Sequence, residues 1–194
     1  MKPEQGGKRL MMQERIVQGD LLYHPVHGTC RVNQIRQQKQ SGKQTLSYSL
    51  VPNMANHMKI RFVIAAVDME ISGFHALVSR KEANQILGYL KTGDKTAVLP
   101  AMNGPKAALS FAEQNQTWGL ARTILSFSRE KFEAKDQRKR QLLKRSAEGL
   151  VGELSFVFRI TLKETAEKIR KSLSHTPHIN PLVLLALTQA GGGD

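Results

Sequence analysis

The sequence predicts an α+β fold in two parts, a small barrel of short β-strands over residues 15–78 followed by an all-α helical bundle. Three observations point there. Between Ile16 and Ser79 apolar residues come in short runs, broken by turn formers at Gly28, Ser41-Gly42, Pro52-Asn53 and Ser72-Gly73. From Lys106 to Ser174 they switch to spacings of three and four, as in Leu143, Ala147, Leu150 and Leu154. Between the two, residues 92–105 carry Pro100 and Pro105 and no helical period, which reads as a linker.

Taken in order, residues 1–14 hold Gly6-Gly7 and scattered charges and read as a flexible basic arm. In the barrel, Arg31, Asn33 and Cys30 are set against Val32 and Ile35, and Ile60 and Phe62 bracket Arg61, so each strand offers one apolar face. A helix then starts at Arg80, with Ser79 as its cap and Glu82 as the reciprocal partner of a capping box, and ends near Gly93; residues 79–105 are thus helix and linker. The helical domain, residues 106–175, shows Leu109 and Ala112, then Leu120, Ile124, Leu125 and Phe127, then the Leu143 to Leu154 stripe. Its last helix opens at a second capping box, Thr161 with Glu164, and buries Leu162, Ala166, Ile169 and Leu173. In the tail, residues 176–194, Asn180-Pro181 starts a short apolar helix that Gly191-Gly192-Gly193 ends. That helix is too short to span a bilayer, so it packs on the bundle or binds another protein.

A chain of 194 residues with 40% apolar content has room for two modest cores. The formal net charge of +13 and pI near 10.1 point to a polyanionic partner, because Lys and Arg gain most by neutralising phosphates and releasing their counterions. A ribosome-associated or merely soluble basic protein is the plainer alternative. The single cysteine, Cys30, makes no internal disulfide, and the first fifteen residues are too polar for a signal peptide. A cytoplasmic protein without a membrane partner is expected.

Charge concentrates from Arg122 to Arg145, where nine basic residues face three acidic ones. Arg138, Lys139 and Arg140 are expected opposite Leu143 and Ala147 and hence toward solvent, either as a nucleic-acid contact with Arg122 and Lys144 or as a solvated face. His24, His27 and Cys30, with His57 further along, have a spacing that would suit a metal. Zinc sites normally need four ligands, however, and the Pro25-Val26-His27-Gly28 turn already accounts for the pattern, so no metal and no cofactor is expected. Neither a nucleophile elbow, a phosphate-cradling glycine loop nor a paired-carboxylate site is present. Glu153 reads as a structural partner for a nearby Lys or Arg, and an enzyme is not expected.

The order Gly19-Asp20, Leu21-Leu22, Pro25-Val26-His27-Gly28, Met58-Lys59-Ile60-Arg61-Phe62-Val63 and Gly73-Phe74-His75-Ala76-Leu77-Val78-Ser79 resembles the RNA-polymerase-interaction domain of the CarD family of bacterial transcription regulators. The helical stretch ending Leu150-Val151-Gly152-Glu153-Leu154 resembles the close of that family's DNA-binding domain, so the likeness covers roughly residues 16–173. It departs where His24 replaces a usual Tyr and Val63 a usual Pro, both placed at strand ends.

The resemblance implies a Tudor-like barrel, as in transcription-repair coupling factors, that grips the polymerase β subunit. A bundle beside it then contacts the promoter minor groove at the upstream bubble edge, mostly without sequence specificity, and stabilises the open complex. It places Arg61 at the polymerase, with Lys59 and Lys39 on the same surface and Gln38 where some relatives carry Arg. For DNA it aligns Arg140 and Lys106 with basic positions. The family's wedging Trp aligns with Ala101 or Met102, whereas this chain's single Trp is Trp118; either Met102 wedges, or a gap brings Trp118 into place, or the function is absent and Trp118 lies in the bundle core. A monomer is expected. A general basic adaptor not acting at initiation, and a metal enzyme built on His24, His27 and Cys30, are the alternatives from other classes.

Overall fold

The computed structural model describes residues 16–40, 43–53, 60–69, 71–93, 116–130, 136–175 and 178–192, and the chain divides into two units, Met1–Ala76 and Leu77–Asp194. The basic arm of residues 1–14, the Ser41-Gly42 turn, Lys59, the linker after Gly93 with Ala101 and Met102, and Lys106, Leu109 and Ala112 lie outside the described residues.

The first unit is an antiparallel sheet of β1 (Leu21–His24), β2 (Gly28–Gln40), β3 (Lys43–Pro52), β4 (Phe62–Ala65) and β5 (His75–Ala76), in spatial order β4-β3-β2-β1-β5. Alternation puts Leu22, Cys30, Val32, Tyr48 and Leu50 on one face, so Cys30 shares the side of Val32 instead of opposing it, and Ala66 and Phe74 complete a small core. Val32 and Ile35 are three apart, which a regular strand would send to opposite faces. A bulge resolves this: Val32 lies opposite Leu50 and Gln34 opposite Ser49, so Asn33 is the extra residue and Ile35 returns to the core side. The β1–β2 turn is closed by His24, whose Nδ1 accepts from the backbone N–H of Val26 at 3.0 Å and of His27 at 3.2 Å. Gly28 follows at φ 67°, the left-handed conformation that glycine adopts without a Cβ clash.

The expected barrel does not close. Among the described residues β4 bonds only to β3 and β5 only to β1, leaving an open sheet with two short edges. A two-residue β5 leaves little backbone with which to bridge to β4. Val63 lies inside β4 rather than at a strand end, opposite Ser49 and 67% exposed; an edge strand with one solvated face accommodates it.

The second unit is helical: α1 (Arg80–Thr92), α2 (Gln116–Arg129), α3 (Gln137–Phe158), α4 (Leu162–Leu173) and α5 (Pro181–Ala190). Both capping boxes form, Ser79 with Glu82 and Thr161 with Glu164, each satisfying two otherwise orphaned N–H groups. Gly93, at φ 72°, ends α1. Although the sequence groups α1 with the linker, it buries Ala83, Ile86 and Leu90 in the same core as Trp118, Ile124, Leu150, Leu154 and Ile169. The tail helix α5 packs there too, through Val183 and Leu187. Glu153, wholly buried, accepts from Val78 N–H at 3.1 Å and from the Thr117 hydroxyl at 2.8 Å, tying the entry to α1 and the first turn of α2 to the middle of α3. No helix among the described residues is long and apolar enough to cross a membrane.

Candidate nucleic-acid interface

The basic segment does not act as one face. Asp136 caps α3 by accepting from Lys139 N–H at 3.1 Å, and from there the helical repeat sorts the cations. Arg138 lies away from the buried stripe of Leu143, Ala147 and Leu150. Leu142, four residues on and 51% exposed, and Arg145, three further, continue the same solvent-facing row. Arg140 corrects the sequence-based placement. It is three residues before Leu143 and seven before Ala147, so it shares their side of the helix instead of opposing it. It is exposed because it sits in the first turns of α3, where it lines a groove against α5. Lys144 lines the same groove and reaches Glu148 at 3.8 Å, a surface pair of small energetic weight.

Lys139 is committed within the fold. Its ammonium pairs with Glu130 across the α2–α3 junction, and that hydrogen bond holds its pKa above the usual lysine value. Arg122 and Arg129, on α2, turn toward α1. Burial pushes the Tyr89 hydroxyl pKa up, and the charges of Arg122 and Arg129 pull it back. Arg129 also lies against the left-handed Gly93, where a cation complements the negative end of α1. Of the basic positions within α2 and α3, Arg129, Arg138, Arg140, Lys144 and Arg145 are exposed, and of these Arg129 lies against the end of α1.

Trp118 is wholly buried. Its ring meets Tyr89 at 5.7 Å between centroids, and among the described residues its indole N–H has no hydrogen-bond partner. It presents no ring surface to a groove in this conformation.

In the sheet unit, Arg61 and Ile60 are exposed just ahead of β4, so Arg61 precedes the edge strand instead of lying within it. The backbones of Gln38 and Lys39 pair with Thr45 and Gln44 in the far part of the β2–β3 ladder. A cluster that the sequence did not announce covers the turn end of the sheet. His24 and His27 stack at 4.5 Å, His27 meets Phe62 at 4.5 Å, and Phe74 lies 4.8 Å from His24 and 5.4 Å from Phe62. Burial, together with the charge of His27, lowers the His24 pKa, while a backbone hydrogen bond with Ser72 opposes the shift. Cys30 is buried in the sheet core, which raises its thiol pKa. Among the described residues no three His, Cys, Asp or Glu side chains are placed to hold a metal. Only adjacency in sequence hinted at His24 and His27; Phe62 and Phe74 come from distant positions that no local pattern links.

Comparison with protein-family models and with curated proteins found no match.

Proposed function

We propose that this chain is a non-enzymatic regulator of transcription initiation. In this reading its sheet unit is a Tudor-like RNA-polymerase-interaction domain that holds the polymerase β subunit, and its helical unit contacts promoter DNA near the upstream edge of the bubble. The observation that carries the proposal is the solvent-facing row Arg138, Leu142 and Arg145 on a helix whose other side is locked into its own core. Two guanidinium groups two turns apart suit phosphate contacts along one groove wall, and the exposed Leu142 between them supplies apolar surface of the kind minor-groove proteins use.

Two further features support it. Each unit has a separate hydrophobic core, so each can present a binding surface of its own. The sheet leaves β4 as an edge, with Arg61 at its mouth and Val63 exposed upon it, a surface open to a protein partner. Functionally, docking the sheet unit raises the local DNA concentration seen by the cationic helix, so weak, sequence-indifferent contacts suffice.

The test is co-purification of the full chain with RNA polymerase, using Arg61→Glu as the comparison. Retention of the wild type and loss of the variant support the proposal. Failure of the wild type to bind the β subunit refutes it and leaves a general basic nucleic-acid adaptor as the alternative.

A further inference from the structure

Helix α5 is apolar on two sides. One side, with Val183 and Leu187, is sealed into the helical core. The adjoining side carries Leu182 and Ala186, which also pack on that core, with the exposed Leu185 and Gln189, and these four line one wall of an open groove of about 260 Å³. The facing wall is Gln137, Arg140, Gln141 and Lys144 of α3, with Leu143 at its base. Each set follows the spacing i, i+3, i+4, i+7, so each wall is one ridge of a helix, about 10 Å long.

Two helical ridges with a trough between them can accept a third helix. The trough is smaller than the roughly 300–1,000 Å³ of a small-molecule site, so it takes a few anchoring side chains from a larger partner and does not enclose a ligand. Its walls are held in place at one end. Asn180, just before α5, donates from its backbone to Ser128 O at 3.1 Å and from its side chain to Glu130 O at 2.9 Å, while Glu130 pairs with Lys139 of α3.

Charge selects the occupant. One wall is apolar but for Gln189, with Leu185 half exposed; the other carries Arg140 and Lys144, the latter also within 3.8 Å of Glu148, and none of the described residues lining the groove is acidic. We infer that this groove binds an acidic amphipathic helix of a partner protein, its apolar residues against Leu182 and Leu185 and its carboxylates against Arg140 and Lys144. The inference does not depend on polymerase binding, and the groove lies on a different side of α3 from Arg138 and Arg145.

The experiment is fluorescence anisotropy of the full chain titrated into a labelled 14-residue peptide with Leu and Phe at i, i+3, i+4 and i+7 and Glu elsewhere. Saturable binding is expected. It should weaken about fivefold to tenfold with Leu185→Gln, an exposed position whose change leaves the core intact. It should weaken similarly with Arg140→Gln combined with Lys144→Gln, and fall at least as far when Lys replaces Glu in the peptide. Leu185→Gln should leave affinity for a 20-base-pair duplex unchanged. Absence of saturable binding, binding indifferent to Leu185→Gln, or loss of duplex affinity in that variant overturns the inference. So does a dimer, seen by light scattering, that Leu185→Gln dissolves, since a second copy would then fill the groove.

Discussion

Thr117 donates its hydroxyl proton to Glu153 Oε2 at 2.8 Å, and both side chains are wholly buried. With Val78 N–H on the other carboxylate oxygen, this hydrogen bond joins three segments far apart in sequence. Removing the acceptor strands two buried donors, and each such loss costs about 1–3 kcal/mol. Glu153→Ala is therefore expected to lower stability by about 2–6 kcal/mol, and Glu153→Gln, which keeps the shape and one acceptor oxygen, by roughly half that. Urea unfolding followed by circular dichroism measures both. A Glu153→Ala variant as stable as wild type would refute the stitching role.

The His24 imidazole couples the sheet unit to pH. Nδ1 must remain unprotonated to accept from Val26 and His27, and the fold lowers the His24 pKa. The unfolded chain consequently takes up a proton at the ordinary value of about 6.5, before the folded chain does. Stability from this group is present above that value and is lost as pH falls from it through the lowered folded pKa. A fall in the urea midpoint between pH 7.5 and pH 5 is expected. His24→Asn, whose amide oxygen caps the turn without titrating, should flatten that fall. The neighbouring His27 and His75 contribute charge at the same place, so the readout is the difference between wild type and variant.

Trp118 offers an internal probe, being the single Trp of the chain. Its burial predicts blue-shifted emission that acrylamide quenches poorly and that saturating duplex DNA leaves unchanged. Truncation to Ala should cost about 3–5 kcal/mol through the cavity it leaves. A red-shifted emission that responds to DNA would place the ring at the nucleic acid instead.

The exposed row on α3 makes a separable prediction. Arg138→Gln with Arg145→Gln should weaken duplex binding equally for unrelated sequences and reduce the salt slope by about 2, one for each phosphate no longer neutralised. Electrophoretic mobility at two or more salt concentrations reads both quantities. An unchanged slope would show that these arginines do not touch phosphate.

Much of the fold is written locally in the sequence. Ser79 with Glu82, Thr161 with Glu164 and Asn180-Pro181 each mark a helix start with side chains that satisfy nearby N–H groups, so residues three apart suffice to find them. The period of two in β3 is likewise visible in Leu46, Tyr48 and Leu50. What stayed hidden depends on partners distant in the chain. The bulge at Asn33 is defined only by what β3 places opposite it. Assignment of α1 to the helical core rests on Ile86 and Leu90 meeting residues beyond the proline-containing segment. The open sheet follows from how short β4 and β5 are, which composition does not report. In the candidate interface, charge density was legible but its sorting was not. Lys139 and Arg122 are drawn to Glu130 and Tyr89, and the exposed Arg129 to the end of α1, none of which a count of cations reveals.

The central claim is that one unit anchors to polymerase so that the other can hold melted DNA. Its most direct measurement is the lifetime of a promoter open complex formed by RNA polymerase after competitor challenge, with and without the full chain. The account predicts that wild type prolongs that lifetime and that both Arg61→Glu and the Arg138→Gln, Arg145→Gln pair abolish the effect. A lifetime unaffected by the wild-type chain, or prolonged equally by Arg61→Glu, would contradict it.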